Sequence, residues 1–167
     1  DAAPPHADSV VIGARHLPTL SKLPVVRGRV VLPACTPRAN DPLAPVYNRR
    51  AFMREVSRVV ALVKRHELEA SLIYFDLNNF KQINDSFGHA AGDAVLRSIG
   101  EVLIRQTRET DLVGRIGGDE FAVVLTHLAP EAAKVKAEAL AAAICTERVL
   151  HDGNAHNVSA AIGIARV

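Results

Sequence analysis

The chain has 167 residues, of which 49% are hydrophobic and 23% charged, and its formal net charge is +2. This length suits one compact domain with its own core, and the interspersed charges exclude a disordered or fibrous chain. Such a small net charge does not indicate a nucleic-acid binder, so only local charge clusters can point to a ligand.

Nothing in the sequence indicates a membrane span or a disulfide framework. No apolar run approaches the roughly 20 residues that cross a bilayer, and the first residues lack the order of a signal peptide. Cys35 and Cys145 lie far apart, with no neighbouring cysteine at metal-ligand or redox-motif spacing. We therefore predict a cytoplasmic domain without membrane contact of its own, in a parent protein that can still be anchored. The start at Asp1, without a methionine, suggests a segment of a longer protein with an upstream sensor domain.

Residues 1–41 contain most of the prolines and show no sustained helical period. We interpret this segment as a linker or the end of an upstream module, followed by one domain over residues 42–167. Within the segment, Val25 to Leu32 has the β-branched content of a strand, although Gly28 weakens that prediction.

The rest of the chain alternates between helical and strand patterns. Apolar residues at spacings of three and four predict helices, and short apolar runs predict strands. The helices are expected over residues 46–66, 91–107 and 130–146, and the strands over residues 71–75, 111–116, 120–125 and 157–165. Asp93 is expected in the first turn of the second helix, where an acidic residue suits the helix dipole. This order predicts an α+β fold, an α/β sandwich in which helices cover a central mixed sheet.

Acidic residues follow the first predicted strand and lie in the turn between the next two. If these strands pair, Asp76 meets Asp119 and Glu120, and clustered carboxylates repel one another unless a cation joins them. Such hard oxygen ligands, with positions left for water, suit Mg²⁺ shared with a nucleoside triphosphate. Gly117 and Gly118 predict a tight hairpin with positive φ, and their missing side chains let the backbone approach a bulky substrate. Taken alone, the turn is equally well explained as an ordinary polar hairpin tip.

The string from Arg115 to Phe121 resembles the signature of the GGDEF family, the diguanylate cyclases. Three more blocks resemble motifs of that family in the same order: its opening motif over residues 41–50, its strand-and-loop motif over residues 75–93 and its late strand over residues 159–165. Several motifs in register, covering about residues 41–167, make a chance match very unlikely. The resemblance implies a fold related to the palm of nucleotide cyclases and polymerases. It also implies condensation of two GTP molecules into cyclic di-GMP, with release of pyrophosphate.

The resemblance further implies roles in catalysis and metal binding. Asp76 and Asp119 would hold Mg²⁺, or Mn²⁺ in its place, with help from the Leu77 carbonyl, while Glu120 supports the metal and the triphosphate. Asp119 is also the family's candidate base for the attacking 3′-hydroxyl, and both assignments stay open. Lys81 matches a basic residue near the phosphates, where positive charge offsets charge that develops in phosphoryl transfer. Its plain alternative is a solvated lysine.

Two further groups of residues match ligand-binding positions of the family. Asn84 and Asp93 match positions that hydrogen-bond guanine, with His89 at the substrate position between them, and an amide with a carboxylate suits guanine's edge. Asn84 as the cap of a turn and Asp93 as the cap of a helix are structural alternatives that can coexist with this role. Arg108 and Asp111 match the RxxD inhibitory site, since arginine can grip a phosphate or guanine in bidentate fashion. The four-residue pattern is weak alone, because arginines are common at helix ends.

The chain departs from the family at three places. Ala44 stands where threonine is usual, and Asn78 stands where many members have a second aspartate, which removes a negative charge near the site. The chain also ends at Val167, before the family's usual final helix and closing strand, whose basic residues commonly help to hold the triphosphate. We therefore expect a C-terminally incomplete domain, whose own activity the motifs do not establish.

Two functions of different classes stay open at this point. The first is an active cyclase that works as a homodimer, because each active site presents one GTP to the other, and that cyclic di-GMP inhibits. The second is a catalytically inactive module that binds GTP or cyclic di-GMP and regulates a partner, although its usual mark, a decayed hairpin motif, is absent. A cyclase of another purine nucleotide is a weaker third possibility, against which Asn84 and Asp93 argue.

Overall fold

The computed structural model describes residues 40–167 and, as backbone alone, the strands β1 (Val25–Val26) and β2 (Arg29–Val30). These strands pair antiparallel, with Val25 opposite Val30. The prediction of one strand from Val25 to Leu32 is therefore wrong, because two parts of that segment pair with each other. The linker predicted over residues 1–41 lies almost entirely outside the described residues.

Residues 40–167 form four helices and seven strands. In chain order these are β3 (Tyr47–Asn48), α1 (Arg49–His66), β4 (Ala70–Leu77), α2 (Phe80–Phe87), α3 (His89–Gln106), β5 (Leu112–Arg115), β6 (Glu120–Thr126), α4 (Pro130–Thr146), β7 (Val149–His151), β8 (Asn154–His156) and β9 (Ala160–Arg166). No helix in this part of the chain is long and apolar enough to cross a membrane.

Five of these strands form one sheet in the order β3-β5-β6-β4-β9. The edge pair β3 and β5 is parallel, and the remaining pairs are antiparallel. The strands β7 and β8 form a separate hairpin. The predicted α+β class, with helices covering a central mixed sheet, is confirmed.

Each face of the sheet buries its own core, because successive side chains of a strand point to opposite faces. On one face, Ile73 and Phe75 of β4 join the larger cluster, which includes apolar residues of α3 and α4. On the other face, Phe52 of α1 packs with Ala122 and Val124 of β6 in a smaller cluster. The helices therefore hold the sheet from both sides, and the loops at the ends of its strands remain available for a site.

Several predicted boundaries shift for local reasons. The first helix begins at Arg49 and not at residue 46, because the Asn48 side chain caps it by accepting a hydrogen bond from the Ala51 N–H at 2.9 Å. The second begins at His89, so Asp93 is its fifth residue and does not lie in the first turn. The strand predicted over residues 71–75 extends to Leu77 and includes Asp76. The helix over residues 130–146 has the predicted bounds.

Candidate functional site

Strand pairing brings the three candidate carboxylates to one end of the sheet. On the antiparallel strands β4 and β6, Asp76 lies directly opposite Glu120. The next residue of β4, Leu77, donates its backbone N–H to the Asp119 carbonyl at 3.1 Å. Asp76, Asp119 and Glu120 form the group that we call the acidic cluster.

The acidic cluster is electrostatically strained, which is visible at Asp76. Desolvation and then the negative charges of Asp119 and Glu120 raise the pKa of the Asp76 carboxyl above its ordinary value, although its side chain still reaches solvent. Within residues 40–167, no lysine, arginine or histidine forms an ion pair with a member of the cluster. The negative charges are therefore left for something outside the described residues to neutralise.

A hard divalent cation fits this donor set. Carboxylate oxygens are the side-chain ligands that Mg²⁺ prefers, and Mg²⁺ often takes only one or two from the protein while water and phosphate complete its shell. In the described part of the chain, no group of three or more histidine, cysteine, aspartate or glutamate residues is arranged to hold a metal by itself. The residues present thus suit an ion that arrives with a triphosphate better than a structural metal with a complete protein shell.

In the loop before β6, Gly117 is required because the Glu120 carboxylate lies beside it. Residues 116–119 connect β5 to β6, and the Ile116 N–H donates to the Glu120 carbonyl at 2.9 Å. A Cβ on Gly117 would lie 1.9 Å from Glu120 Oε2, whereas a Cβ on Gly118 would meet nothing within 4 Å. The predicted hairpin is confirmed, because β5 and β6 pair antiparallel. The predicted positive φ is wrong for both glycines, since four connecting residues need no left-handed backbone here. Gly117 instead makes room for the Glu120 carboxylate.

A salt bridge links this loop to the opening motif. Arg115 donates to the Gly118 carbonyl through Nε at 3.1 Å and Nη2 at 2.8 Å, and its Nη1 lies 3.2 Å from Asp41 Oδ1. The same Asp41 oxygen accepts the backbone N–H groups of Leu43 and Ala44. Both Arg115 and Asp41 lie in the sequence motifs, but the motifs alone predict a function for neither. The opposite charges of these two residues, which lie in separate motifs, were the only sign in the sequence that they form a salt bridge.

The predicted guanine-binding residues meet where α2 and α3 join. A Cβ on Gly92 would lie 2.0 Å from Asn84 Oδ1, so the amide rests against the backbone beside Asp93. Neither the Asn84 amide nor the Asp93 carboxylate has a hydrogen-bond partner among residues 40–167. Asp93 as a helix cap is wrong, because Gly88 occupies the cap position of α3. His89 follows as the exposed first residue of the helix.

Asn78 and Lys81, which both follow β4, differ in their contacts with the rest of the fold. Asn78 donates its backbone N–H to the Ser159 carbonyl at 2.8 Å and its amide to Ser159 Oγ at 2.9 Å, which ties β4 to the start of β9. Lys81, the second residue of α2, is exposed and forms no ion pair with any residue that the structure describes. The asparagine therefore has a structural contact, while the lysine is free to meet a ligand.

The RxxD residues lie at the other end of the β5–β6 hairpin. Asp111 accepts the backbone N–H of Arg108 at 2.9 Å and that of Thr126 at 3.2 Å. The Arg108 side chain is exposed and has no hydrogen-bond or ion-pair partner within the described residues. Thr126 and Glu120 are the two ends of β6, which at about 3.4 Å per residue lie roughly 20 Å apart. Asp111 thus holds the turn, and Arg108 can bind a ligand well away from the acidic cluster.

Comparison with known proteins gives one consistent result. The family model described as "Diguanylate cyclase, GGDEF domain" matches residues 38–167. The chain is 40% identical over 127 residues to the diguanylate cyclase TpbB of Pseudomonas aeruginosa, a match that covers 75% of this chain and 29% of that protein. It is 33% identical over 129 residues to the probable diguanylate cyclase DgcE of Escherichia coli, covering 77% of this chain and 12% of that protein. The chain thus spans less than a third of either curated relative.

A solved structure shows the same fold. The GGDEF domain of DgcB from Caulobacter crescentus, crystallised in complex with c-di-GMP, matches with a TM-score of 0.73 and 25% sequence identity. The match covers 83% of this chain and 81% of that chain. The architecture built around the acidic cluster therefore recurs in a domain that was solved with a cyclic dinucleotide.

Proposed function

Because the chain belongs to the GGDEF family of diguanylate cyclases, we propose that its protein condenses two GTP molecules into cyclic di-GMP. In this reaction the 3′-hydroxyl of each GTP forms a bond to the α-phosphorus of the other, and each GTP releases pyrophosphate. The observation that carries the proposal is the register of β4 and β6, which sets Asp76 opposite Glu120 and beside Asp119.

The acidic cluster is proposed to bind the metal and the triphosphate together. Asp76 and Asp119 would hold Mg²⁺, or Mn²⁺, with the Leu77 carbonyl, and Glu120 would support this arrangement. Held by these residues, the ion would neutralise phosphate charge and stabilise the charge that develops in phosphoryl transfer. Lys81 would add a positive charge near the phosphates, since its side chain is exposed and forms no ion pair within residues 40–167.

Asp119 is also proposed as the base that accepts the proton of the attacking 3′-hydroxyl. The two assignments of Asp119 place different demands on it, since a metal ligand must stay ionised and a base must take up a proton. Removing Asp119 eliminates both, so a variant at this position tests the site as a whole.

The corner between α2 and α3 is proposed to select guanine. The Asn84 amide and the Asp93 carboxylate have free hydrogen-bonding capacity, and together they offer a donor and acceptors to the guanine edge. Gly118 lets the nucleotide approach the loop, because nothing in the described part of the chain lies within 4 Å of the position of its missing side chain, whereas Gly117 acts indirectly by making room for Glu120. His89, the exposed first residue of α3, is proposed to contact the substrate as well. An adenine base would present the opposite pattern of donors and acceptors, which favours GTP over ATP.

Two copies are proposed to work together, and the product is proposed to inhibit them. Cyclic di-GMP has two-fold symmetry, so a homodimer that presents one GTP from each subunit matches it. Arg108 is proposed to bind cyclic di-GMP as an inhibitor in the RxxD site, with Asp111 holding the turn. Because that site lies at the far end of β6, inhibition would act on how the two subunits approach and would not compete for the acidic cluster.

One assay tests the proposed function. The full-length parent protein is incubated with GTP and Mg²⁺, and the products are separated by chromatography. We expect cyclic di-GMP and pyrophosphate, and ATP in place of GTP should give no cyclic product. Absence of product from a verified dimer would overturn the proposal and leave a module that binds GTP or cyclic di-GMP, which calorimetry with each nucleotide would then show.

A further inference from the structure

Tyr74 contacts the acidic cluster from the middle of β4. It lies directly opposite Ala122 of β6, and two residues further along the pair Asp76 lies opposite Glu120. Directly opposed residues of an antiparallel pair, and residues two positions apart on one strand, share a face of the sheet. Tyr74, Asp76 and Glu120 are therefore on the same face, and the Tyr74 hydroxyl donates a hydrogen bond of 2.5 Å to Glu120 Oε1.

The neighbours of Tyr74 leave space for this diagonal contact. Its directly opposed residues are Ala122 on β6 and Gly163 on β9, and Ala161 on β9 is opposite Asp76. Diagonal positions on neighbouring strands lie about 7–8 Å apart, a distance that an aromatic side chain spans. With only small residues on either side, the phenol can extend along the sheet to the carboxylate.

Within the part of the chain that the structure describes, the hydrogen bond between Tyr74 and Glu120 has no counterpart elsewhere in the acidic cluster. Among residues 40–167, it is the only side-chain hydrogen bond that any member of the acidic cluster forms. The other oxygen of the same carboxylate, Glu120 Oε2, lies in the space that the missing side chain of Gly117 leaves. The Glu120 carboxylate is thus hydrogen-bonded through one oxygen and packed against the loop backbone with the other.

We propose that Tyr74 is a positioning residue of the metal and triphosphate site, which holds Glu120 in place against the repulsion of Asp76 and Asp119. The inference rests on the proposed function, because it assigns Glu120 to that site. A carboxylate on a flexible side chain turns away from neighbouring negative charges unless a contact restrains it. Bringing it back and ordering it when the cation binds would cost free energy and so weaken cation binding. A tyrosine hydroxyl restrains it without adding a positive charge that would compete with the metal.

The hydroxyl is the donor in this pair, because a phenol with an ordinary pKa of about 10 keeps its proton at neutral pH while the carboxylate can only accept. Burial, followed by the hydrogen bond to Glu120 and the surrounding negative charge, raises the pKa of Tyr74 further.

The test removes the hydroxyl and measures cation binding without turnover. In the full-length parent protein with a non-hydrolysable GTP analogue, Mn²⁺ is titrated and free Mn²⁺ is followed by electron paramagnetic resonance. We expect Tyr74→Phe to weaken Mn²⁺ binding about tenfold, the usual size for one hydrogen bond to a charged group. Saturating cation should restore most of the turnover. An unchanged Mn²⁺ affinity in a variant that melts like the wild type would overturn the inference.

The chain contains one matched control, its other tyrosine. Tyr47→Phe makes the same chemical change in β3, an edge strand that β5 and β6 separate from β4, and should leave Mn²⁺ binding unaltered. A second control combines Tyr74→Phe with Glu120→Ala. If Tyr74 acts through Glu120, the double variant binds Mn²⁺ as weakly as Glu120→Ala alone, whereas additive losses would show that Tyr74 acts in another way and would overturn the inference.

The two proposals fail separately. A wild-type protein that makes no cyclic di-GMP, but whose Tyr74→Phe variant loses Mn²⁺ affinity, retains the positioning residue and loses the proposed reaction. A wild-type protein that makes cyclic di-GMP, with unchanged Mn²⁺ affinity in Tyr74→Phe, retains the reaction and loses the positioning residue.

Discussion

The two ends of the β5–β6 hairpin use aspartate in opposite ways. At the RxxD end, both oxygens of Asp111 accept backbone N–H groups, so its charge stabilises a turn. At the other end, Asp76 and Asp119 have no side-chain hydrogen bond or ion pair among the described residues, and their charges oppose each other. Aspartates whose bonds are complete within the fold contribute to stability. Neighbouring aspartates that have no partner in the fold are available for a ligand. Substitutions at the two kinds of aspartate should therefore differ in their effects on turnover and on the free energy of unfolding.

The largest expected effect is on turnover, at the unpartnered end. Asp119→Ala should lower kcat by about a thousandfold or more, because it removes both a metal ligand and the candidate base. Chromatography of the nucleotide products measures this. Glu138→Ala, an exposed carboxylate on α4, is the matched control and should keep full activity. Full activity of Asp119→Ala would contradict the metal assignment.

The second largest expected effect is a difference between alanine substitutions at the two glycines of the connecting loop. Gly117→Ala places a Cβ where Glu120 Oε2 lies, so the carboxylate must move, and we expect about a tenfold loss of turnover. Because the end of a flexible side chain moves and not the backbone, the melting temperature should change little. Gly118→Ala meets nothing and should leave the melting temperature unaltered. Wild-type turnover of Gly117→Ala would show that the position of Glu120 does not matter.

Stability should change in opposite directions at the two kinds of aspartate. Asp111→Asn replaces one acceptor oxygen by an NH₂ group that faces a backbone N–H, and should lower the free energy of unfolding by about 1–3 kcal/mol. Asp76→Asn removes a repulsive charge and, without divalent cations, should leave that free energy equal or slightly higher. Denaturant unfolding of both variants in EDTA measures the difference. A loss at Asp76 as large as the loss at Asp111 would remove the distinction between the two ends.

The smallest expected effect on the fold is at Arg108. Its guanidinium has no protein partner in the described part of the chain, so Arg108→Ala should change the free energy of unfolding by less than about 0.5 kcal/mol. Its initial rate should equal that of the wild type, while added cyclic di-GMP should inhibit it far less. Progress curves with and without added product measure both, and unaltered inhibition would exclude Arg108 from the inhibitory site.

Sequence reasoning succeeded where the pattern is long and regular. The alanine-rich helix over residues 130–146 has its predicted bounds, and the strands that end in Asp76 and begin at Glu120 were predicted from their apolar runs. Their pairing was left as a condition, which the structure meets. It missed α2 and the β7–β8 hairpin, because eight and three residues are too few for a period to show. The glycine turn was also misjudged, since a loop of four residues avoids the backbone conformation that a tighter turn needs.

The sequence by itself determined the family, the α+β class and the set of acidic, amide and basic residues that form the candidate site, because these depend on residue types at short spacing. Only the tertiary structure decided which of them are neutralised within the fold. Arg115 reaches Asp41 across 74 positions and Tyr74 reaches Glu120 across 46, and such contacts leave no periodic trace in the chain. They depend on strand register and on small neighbours such as Gly117, which become meaningful only when the sheet has formed.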